Sequence, residues 1–438
     1  MDKARHAAYE TLLRIERDGA YSNLALSAAL DSGGFSAADS AFAAALVYTT
    51  VERQITIDDQ LSRYLRQPLK KLRPEVRIVL RMGASQILFM DKVPASAAVN
   101  ESVRLVRQNK NIAWAAGLVN AVLRKTAQNG LCLPQGEDDD ARSVRYSCPK
   151  WLVRLWTDAY GKDEADAIMA RALGGTQTVV RVNTLKTDAG TLAQTLAAEG
   201  VQTRPFDGLP DALILEKCGA PERLCAFADG LFHVQDAASQ YCCRALDVQP
   251  GQTVYDVCAA PGGKSFTLAQ IMKNTGSLCA FDLYEQRVRL IAEGASRLGV
   301  GNLRAAVWDA AVRDDSRPRA DRVLCDVPCS GLGVIAKKPE IRYKTPQEID
   351  KLRDLQYNIL CISASYLKKG GILVYSTCSL NPQENEEICR KFLAEHPSFR
   401  TLEILPDVDK RVQDNMVTLL PHRSRSDGFF ITAMTETE

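Results

Sequence analysis

The feature that most constrains the fold is a repeated pattern after residue 235, where short apolar runs alternate with segments of helical periodicity. Four such runs are residues 253–257, 277–281, 322–325 and 372–375. Strands separated by helices in this way predict a parallel β-sheet with helices on both faces. Each run ends in a turn of unusual composition, and ligands bind such sheets at the carboxyl ends of the strands. The sequence therefore predicts an α/β domain whose turns converge on one cleft.

The rest of the chain follows two other patterns. Residues 1–135 are rich in Ala, Leu and Arg, and the stretch 74–90 opens on Pro74 with apolar residues at helical spacing, so we expect a helical bundle there. Residues 136–140 (GEDDD) are predicted to form a solvated linker. Beyond it, strands at 179–182 and 212–215 and a helix at 187–199 predict a small α+β module.

Composition narrows the compartment and the partners. With 46% hydrophobic and 25% charged residues, the chain has the composition of a globular protein. The longest apolar run, residues 41–48, is too short to span a bilayer, and the first residues lack the apolar core of a signal peptide. Thirteen cysteines in such a chain predict reduced thiols. We therefore expect a cytoplasmic protein without a membrane partner.

The formal charge of +2 identifies no partner, so any nucleic-acid surface must be local. The stretch from Arg63 to Arg81 carries seven basic residues and only Glu75 against them. The seven are Arg63, Arg66, Lys70, Lys71, Arg73, Arg77 and Arg81. Such a run is either a solvated helix face or a phosphate-binding surface.

The turn after the first strand reads Asp-Val-Cys-Ala-Ala-Pro-Gly-Gly-Lys over residues 256–264. Its small residues let backbone amides approach a ligand, and the following helix presents its positive end. It matches neither the dinucleotide fingerprint nor the phosphate loop, and a tight loop without a ligand is the alternative. Asp282 ends the next strand, where a carboxylate would meet a ribose, although it could also cap a helix. Together the two features favour a nucleoside-containing cofactor.

The third and fourth strand ends each carry a Cys-Ser pair, in Asp-Val-Pro-Cys-Ser-Gly-Leu-Gly (326–333) and Tyr-Ser-Thr-Cys-Ser-Leu (375–380). A lone cysteine is usually a small buried hydrophobe, but two at one sheet edge favour thiol chemistry. A zinc site is disfavoured because the four histidines and the cysteines form no ligand cluster, so we expect no metal. A disulfide between Cys329 and Cys378 is disfavoured by a reducing compartment.

In order along the chain, DVCAAPGGKS, Asp282, DVPCSGLGVI and YSTCSL resemble the RNA cytosine-5 methyltransferases of the Sun/Fmu (RsmB) and NOL/NSUN superfamily. The first third resembles the NusB antitermination domain through VNESVRL (99–105) and GLVNAVLR (117–124). The middle part is similar to the family's small RNA-positioning module through RVNTL (181–185) and VQDAAS (234–239). The resemblance implies an all-α NusB-like bundle (1–135), a small α+β module (143–235) and a Rossmann-like class I methyltransferase domain (236–438). This combination implies the bacterial branch that methylates a cytosine in small-subunit (16S) ribosomal RNA.

The resemblance also implies a role for each site residue. The methionine part of S-adenosylmethionine, which leaves as S-adenosylhomocysteine, would lie against Cys258, Ala259, Ala260, Pro261, Gly262, Gly263 and Lys264. Asp282 would hold the ribose, Asp309 the adenine, and Asp326 would face the reaction centre. Cys378 matches the nucleophile and Cys329 the cysteine that helps to release the product. Two positions depart from the family's pattern, Val327 in the third turn and the less distinctive pair Trp308-Asp309.

The chemistry explains why two thiols are needed. Carbon 5 of cytosine becomes nucleophilic once a thiolate adds to carbon 6, and a thiol with a pKa of about 8.5 needs local help to ionise. That help would come from a helix amino terminus or from Lys264, while Asp326 would hydrogen-bond the cytosine edge. Either Cys329 or Asp326 would then take the proton from carbon 5. The target cytosine must lie in a loop or be flipped out of its helix.

Three rival classes remain at this stage. A DNA cytosine-5 methyltransferase would use the cysteine of the Pro-Cys pair as its nucleophile. A nicotinamide oxidoreductase would be expected to carry the dinucleotide fingerprint, and a non-catalytic RNA-binding factor would have no use for two placed cysteines. For the methyltransferase we expect a monomer.

Overall fold

In a computed structural model, the described residues (2–19, 22–31 and 34–437) fall into two compact units. The first comprises Met1–Gly175 with Ile335–Lys344, and the second comprises Thr176–Val334 with Thr345–Glu438. No helix within the described ranges is both long and apolar enough to cross a membrane. The boundaries predicted from the sequence, near 143 and 236, differ from this division at Gly175 and stay a prediction.

All the regular secondary structure described in the first unit is helical. Its α-helices are α1 (Lys3–Asp18), α2 (Ser22–Asp31), α3 (Ala37–Glu52), α4 (Gln54–Ser62), α5 (Pro74–Phe89), α6 (Ala95–Gln108), α7 (Ala116–Asn129), α8 (Asp139–Arg145), α9 (Lys150–Tyr160) and α10 (Lys162–Arg171). The helix predicted at 74–90 is confirmed as α5, with Pro74 in its first turn and Val76 and Leu80 in the core. The solvated linker predicted at 136–140 is wrong in its second half. There Asp138 caps α8 by accepting a hydrogen bond from the Ala141 amide.

A short segment distant in sequence completes the first unit. Ile335–Lys344 contains the 3₁₀ turn Pro339–Tyr343, which follows the third strand-end turn along the chain. Arg342 is 1% exposed and donates to the carbonyl oxygens of Glu52 and Ser147, both at 3.1 Å. These ten residues fall inside the predicted domain 236–438 but pack with the helices, and the bounds of that domain stay a prediction. Nothing in their local sequence pattern indicates this partner.

The second unit begins with a small antiparallel sheet. Its strands are β1 (Thr178–Val182), β2 (Gln202–Phe206), β3 (Leu209–Glu216) and β4 (Phe232–Val234), in the order β2-β3-β1-β4. Helices α11 (Ala189–Ala198) and α12 (Cys225–Ala228) lie between them in sequence. The predicted strands at 179–182 and 212–215 correspond to β1 and β3, and the predicted helix at 187–199 corresponds to α11.

A nine-stranded sheet forms the rest of the second unit. Its strands are β5 (Thr253–Asp256), β6 (Ser277–Asp282), β7 (Leu303–Val307), β8 (Ala320–Asp326), β9 (Leu367–Thr377), β10 (Phe399–Leu402), β11 (Arg411–Gln413), β12 (Met416–Leu419) and β13 (Phe429–Glu436). Its helices are α13 (Ala237–Ala245), α14 (Gly263–Ile271), α15 (Glu285–Leu298), α16 (Pro346–Asp350), α17 (Arg353–Ser365), α18 (Glu386–Glu395) and α19 (Pro421–Ser424).

The strand order is β11-β12-β13-β9-β8-β5-β6-β7, with β10 paired to β13. The five strands from β7 to β9 are parallel, which confirms the four predicted strands in the predicted orientation. The sheet is mixed, however, because β13 pairs antiparallel with β9 and continues into the antiparallel strands β10, β11 and β12. These carboxyl-terminal strands were not predicted.

Alternating side chains give the large sheet two buried faces. Val254 and Leu324 contribute to one hydrophobic cluster, whereas their neighbours Tyr255 and Val323 contribute to another. This alternation is the two-residue period of a β-strand. A strand buried on both faces reads as a continuous apolar run, which is why β5, β6 and β8 are visible in the sequence.

Gly333 lies where three chain segments approach closely. Its amide donates to the carbonyl of Cys378 at 2.9 Å, and its carbonyl accepts from the amide of Gly428 at 2.9 Å. A Cβ atom added at Gly333 would lie 1.9 Å from the Gly428 carbonyl oxygen and 2.9 Å from that of Cys378. Because both neighbours are backbone atoms, neither can rotate away. Only glycine fits this position.

We predict that Gly333→Ala destabilises the second unit by about 3 kcal/mol, the upper part of the range for overpacked sites. Gly301→Ala is the matched control, since its nearest neighbour is a side-chain nitrogen of Asn274 at 3.9 Å and its effect should stay within about 0.5 kcal/mol. Urea unfolding of both variants measures the difference. Equal stability of the two would mean that the three segments are not held together at Gly333.

Candidate active site

The candidate site lies at the carboxyl edge of the parallel strands. Strand β5 ends at Asp256, β6 at Asp282, β8 at Asp326 and β9 at Thr377. Since neighbouring strands run in the same direction, these ends meet at one edge of the sheet. The register pairs Asp326 directly with Ser376. The sequence-predicted turns are thus brought together by strand pairing alone.

The turn between β5 and α14 is tight and fixed to its neighbour. The Ala259 amide donates to the Phe281 carbonyl at 2.7 Å, which ties the turn to β6. Gly262 has a φ of +110°, and an added Cβ would lie 2.4 Å from the Phe266 ring. Helix α14 begins at the next residue, so its first amides face the turn. Residues 258–264 therefore form the compact, amide-rich turn that their composition predicts.

Lys264 and Asp326 form an ion pair at the centre of the site. Lys264 Nζ donates to Asp326 Oδ2 at 2.6 Å, and Ser376 Oγ donates to Asp326 Oδ1 at 2.7 Å. The two side chains are 14% and 23% exposed. Burial works against the charge of Lys264, but the attraction of Asp326 outweighs it and holds the pKa of the ammonium above its usual value. Lys264 is therefore charged, and both carboxylate oxygens of Asp326 already accept a hydrogen bond.

Asp282 lies beside the first turn and is 4% exposed. Its Oδ2 is 3.3 Å from Arg287 Nη1, and Oδ1 accepts a hydrogen bond from the Tyr284 amide at 3.3 Å. Arg287 Nη2 also donates to the carbonyl of Ala260 at 3.1 Å. Arg287 therefore joins the first turn to the acid at the end of β6. We did not predict this role for Arg287, which occupies an ordinary position in the first turn of α15.

Asp309 follows the end of β7 and is half-buried. Its Oδ1 accepts from the Ala311 amide at 2.9 Å, which stabilises the turn that leaves the strand. The neighbouring Trp308 packs edge-on against Phe281, with ring centroids 5.0 Å apart. The structure thus gives Asp309 a local role in a turn, and its contact with an adenine stays a prediction.

Cys329 and Cys378 lie in direct contact. Their Sγ atoms are 3.3 Å apart, and both are free, half-buried thiols. A hydrogen bond between the thiols raises the pKa of Cys329, with burial adding to the effect. The same hydrogen bond lowers the pKa of Cys378 against the effect of burial. The pair is therefore unequal, because the contact favours the proton on Cys329 and the thiolate form of Cys378.

Nearby charges act on both thiols. Lys264 lowers the pKa of Cys378, opposed by the negative charge of Asp326. The pKa of Cys329 is raised further by the carboxylates of Glu384 and Asp326. A thiolate next to an ammonium is the arrangement that activates a cysteine nucleophile. For Cys378 the effect of Asp326 is the larger of the two, so Lys264 offsets only part of it, and Lys264 as the group that activates the thiol stays a prediction.

Two neighbours of this centre were not predicted as site residues. Ser376 fixes one oxygen of Asp326, and Arg287 contacts Asp282. Ser376 could have been chosen from its place in the Tyr-Ser-Thr-Cys-Ser run, but register with Asp326 exists only in the paired sheet. Within the described part of the chain, no group of three or more His, Cys, Asp or Glu side chains could hold a metal ion.

The basic stretch of the first unit is mostly paired. Arg81 is 6% exposed and contacts both Asp58 and Glu16. The other ion pairs are Arg63 with Asp59, Arg73 with Glu75 and Arg77 with Glu16. Within the stretch itself the only acidic residue is Glu75, whereas the folded chain brings further carboxylates to it from α1 and α4. Arg66, Lys70 and Lys71 remain exposed and pair with no acidic side chain that the structure describes.

Comparisons with known families divide the chain in the same order as its folds. Residues 2–128 match the NusB family, residues 148–220 match the ferredoxin-like domain of RsmF/B-like methyltransferases, and residues 243–435 match the family described as 16S rRNA methyltransferase RsmB/F. The fold is therefore a NusB-type helical domain, a small ferredoxin-like module and a Rossmann-like methyltransferase domain, as predicted.

Relatives match over nearly the whole length. The probable ribosomal RNA small subunit methyltransferase B of Bacillus subtilis is 38% identical over 98% of this chain and 98% of its own. The protein of the same description from Synechocystis is 36% identical over 98% of this chain and 99% of its own. The solved structure of PH0851 superposes with a TM-score of 0.85 at 27% identity, covering 100% of this chain and 99% of that one. This chain belongs to the 16S rRNA methyltransferase RsmB/F family.

Proposed function

We propose that this protein transfers a methyl group from S-adenosylmethionine to carbon 5 of a cytosine in small-subunit ribosomal RNA, through a covalent bond between Cys378 and the base. The observation that carries the proposal is the thiol pair, with 3.3 Å between Cys378 Sγ and Cys329 Sγ. Asp326 lies at the end of the adjoining strand and is hydrogen-bonded to Lys264. A single methyl transfer without covalent attachment would need neither a second thiol nor an activated first one.

The residues at the sheet edge fit the methyl donor. The turn 258–264 offers small side chains and the first amides of α14, which suit a carboxylate or other polar ligand group. Asp282 supplies a carboxylate at the end of β6 for a pair of ribose hydroxyls. Asp309 is placed beyond β7 for the adenine. When bound there, S-adenosylmethionine supplies an electrophilic methyl group.

Attack begins at the sulfur of Cys378. Its thiolate forms a bond to carbon 6 of cytosine, and the electrons of the 5,6 double bond move toward carbon 5 and the ring nitrogen. Asp326 orients the base edge, either directly or through the hydrogen-bonded Lys264. Carbon 5 then carries the electron pair that would bond to the methyl group, while the bond from the methyl group to the sulfonium sulfur would break and leave S-adenosylhomocysteine. Ring planarity is lost at this stage, so the cytosine must be unstacked and reachable from the sheet edge.

Release requires removal of the proton from carbon 5. The electrons of that C–H bond re-form the 5,6 double bond, the bond from carbon 6 to sulfur breaks, and Cys378 leaves as a thiolate. Both oxygens of Asp326 are already occupied by Lys264 and Ser376, whereas Cys329 touches the nucleophile, so Cys329 is the better candidate. Cys329 acts after its own proton has moved to a neighbouring acceptor or to solvent.

The helical unit offers a charged surface for RNA. Arg66, Lys70 and Lys71 are exposed and close in sequence around the 3₁₀ turn Leu69–Lys71. Exposed cations that pair with no carboxylate can bind phosphates without first breaking an ion pair. Such binding is favourable because it releases the counterions of the nucleic acid. We therefore assign RNA contacts to these three residues and a structural role to the paired arginines.

If Asp282 holds the ribose, Asp282→Ala removes charge-assisted hydrogen bonds worth roughly 1.5–3 kcal/mol. The dissociation constant for S-adenosylmethionine should then rise about 10- to 150-fold, as measured by calorimetry. Asp315→Ala, which changes an exposed acid in the loop before β8, is the control and should bind normally. An unchanged constant in Asp282→Ala would remove Asp282 from the cofactor site.

Replacing Arg66, Lys70 and Lys71 by Gln should weaken RNA binding and reduce its salt dependence. Each lost contact to a single strand lowers the log–log slope by about 0.7, so the triple variant should lose roughly 2. Lys369→Gln, an exposed lysine in the second unit, should keep the wild-type slope. Filter binding over a salt series provides the data, with methyl-donor affinity expected to stay constant. A wild-type slope in the triple variant would assign the three cations to a solvated face.

The two cysteine variants should fail at different steps. Cys378→Ala should give neither methyl transfer nor an RNA–protein adduct, because the nucleophile is absent. Cys329→Ala should still add to cytosine and accept the methyl group but release product slowly, so an adduct accumulates. A denaturing gel shows it as a slow band that nuclease removes. Cys225→Ala, at an exposed free thiol, should behave like the wild type.

Other outcomes discriminate among the rival classes. An adduct in Cys378→Ala only would reverse the roles of the two cysteines. Equal transfer to a DNA oligonucleotide of the same sequence would contradict an RNA enzyme. Binding of S-adenosylmethionine without transfer to any ribosomal RNA would indicate a non-catalytic RNA-binding factor.

A further inference from the structure

Glu384 is a fully buried carboxylate just before α18, outside the groups that act on substrate in the proposed function. Its Oε1 accepts from the Ser330 amide at 2.7 Å and from Gln356 Nε2 at 3.0 Å. Its Oε2 accepts from Ser330 Oγ at 2.5 Å and from Ser379 Oγ at 2.6 Å. Four donors therefore converge on one side chain, which is the full accepting capacity of a carboxylate.

The donors come from the two turns that carry the thiols. Ser330 directly follows Cys329, and Ser379 directly follows Cys378. The two hydroxyl oxygens are 2.8 Å from each other. Glu384 thus bridges two turns that are 49 residues apart in sequence, at the residues next to the reacting sulfurs.

A second set of bonds holds Glu384 itself in place. Gln356 Nε2 also donates to the carbonyl of Pro328 at 2.9 Å, on the other side of Cys329. Tyr375 Oη donates to the backbone carbonyl of Glu384 at 2.7 Å. Gln356 and Tyr375 are both fully buried. The Cys329 turn is therefore held by hydrogen bonds on both sides of the thiol, at Pro328 by Gln356 and at Ser330 by Glu384.

General stability alone does not explain a carboxylate here. Within the described residues, Glu384 forms no ion pair with any Lys, Arg or His, so its charge is balanced only by hydrogen-bond donors. Burying a charge is unfavourable unless it is fully hydrogen-bonded, and apolar side chains usually stabilise such a place at least as well. A carboxylate can, however, accept four hydrogen bonds, and these fix the position of the Cys329 turn relative to the Cys378 turn.

We propose that Glu384 is a positioning residue that holds the Cys329 and Cys378 turns at the separation at which their thiols touch. The consequence for catalysis rests on the proposed function, whereas the separation of the sulfurs does not. The negative charge of Glu384 also favours the protonated form of Cys329, after the thiol hydrogen bond and burial, and so supports the unequal pair. Glu384 accepts hydrogen bonds from both turns and so adds to their direct contacts, Ser330 with Ser379 and Gly333 with the Cys378 carbonyl.

The spacing is testable with a trivalent arsenical. Phenylarsine oxide forms two As–S bonds and releases water when it meets two neighbouring thiols, so it reports sulfurs that lie side by side. Intact-mass titration of the full chain measures the bridged product, and Cys329→Ala provides the background from the other cysteines. The variant is Glu384→Gln, which keeps the shape but places hydrogens toward two of the donors. The matched control is Glu386→Gln, at a buried glutamate bonded to Thr418.

We expect the arsenical to bridge the wild type and Glu386→Gln, and to bind Glu384→Gln at least about 10-fold more weakly. Ser379→Ala removes one donor while keeping the carboxylate, so it should fold normally and show a smaller loss in the same direction. If Glu384→Gln does not fold, Ser379→Ala alone decides the question. Bridging at wild-type strength in the folded variants would overturn the proposal.

Turnover gives an independent readout of the proposed function. Misplacement of reacting groups lowers turnover roughly 10- to 100-fold, so kcat of Glu384→Gln should fall while the dissociation constant for S-adenosylmethionine stays unchanged. If Glu384→Gln loses bridging but keeps normal methyl transfer, Glu384 positions the two turns but this positioning does not affect catalysis. Absence of methyl transfer in the wild type would contradict the proposed function and leave the bridging result standing.

Discussion

Parallel pairing of β8 with β5 on one side and with β9 on the other is the constraint on which the site depends. It sets the end of β8 against the end of β9, with Asp326 opposite Ser376, and brings the helix that follows β5 over the same edge. Lys264 then reaches Asp326 from the first turn of that helix. Distances within the site follow from strand register, because a strand displaced by one residue would turn every side chain to the opposite face.

The electrostatics of the site depend on that arrangement. An isolated buried lysine would tend to lose its proton, whereas Lys264 keeps its charge because Asp326 lies 2.6 Å away. That charge in turn favours a thiolate at Cys378, while the carboxylate of Glu384 lies toward Cys329. The pKa values of two chemically identical side chains are therefore shifted in opposite directions. Their difference arises from neighbours on other strands and cannot be read from the Cys-Ser pairs themselves.

The helical unit shows how local charge patterns mislead. Seven basic residues in a short stretch predict a cationic surface, yet four of them pair with carboxylates, and Arg81 is buried. Their partners Glu16 and Asp58 lie on α1 and α4, far from α5 in sequence. Arg342 in the segment Ile335–Lys344 is a second example. It is buried and donates to the carbonyls of Glu52 and Ser147, which are far from it in sequence.

The sequence by itself determined the order of folds, the four parallel strands and the compact turn at 258–264, and it predicted Asp282, Asp326, Cys329 and Cys378 as site residues. These features are local: apolar runs, small residues and turn chemistry act over a few neighbouring positions. Only the tertiary structure decided which cations are exposed, that Lys264 pairs with Asp326, that the two sulfurs touch, and that Glu384 rather than Glu386 joins their turns. Glu384 and Glu386 belong to the same acidic run, and nothing in their neighbours separates them. Contacts between residues distant in the chain depend on register and packing, which no short stretch of sequence contains.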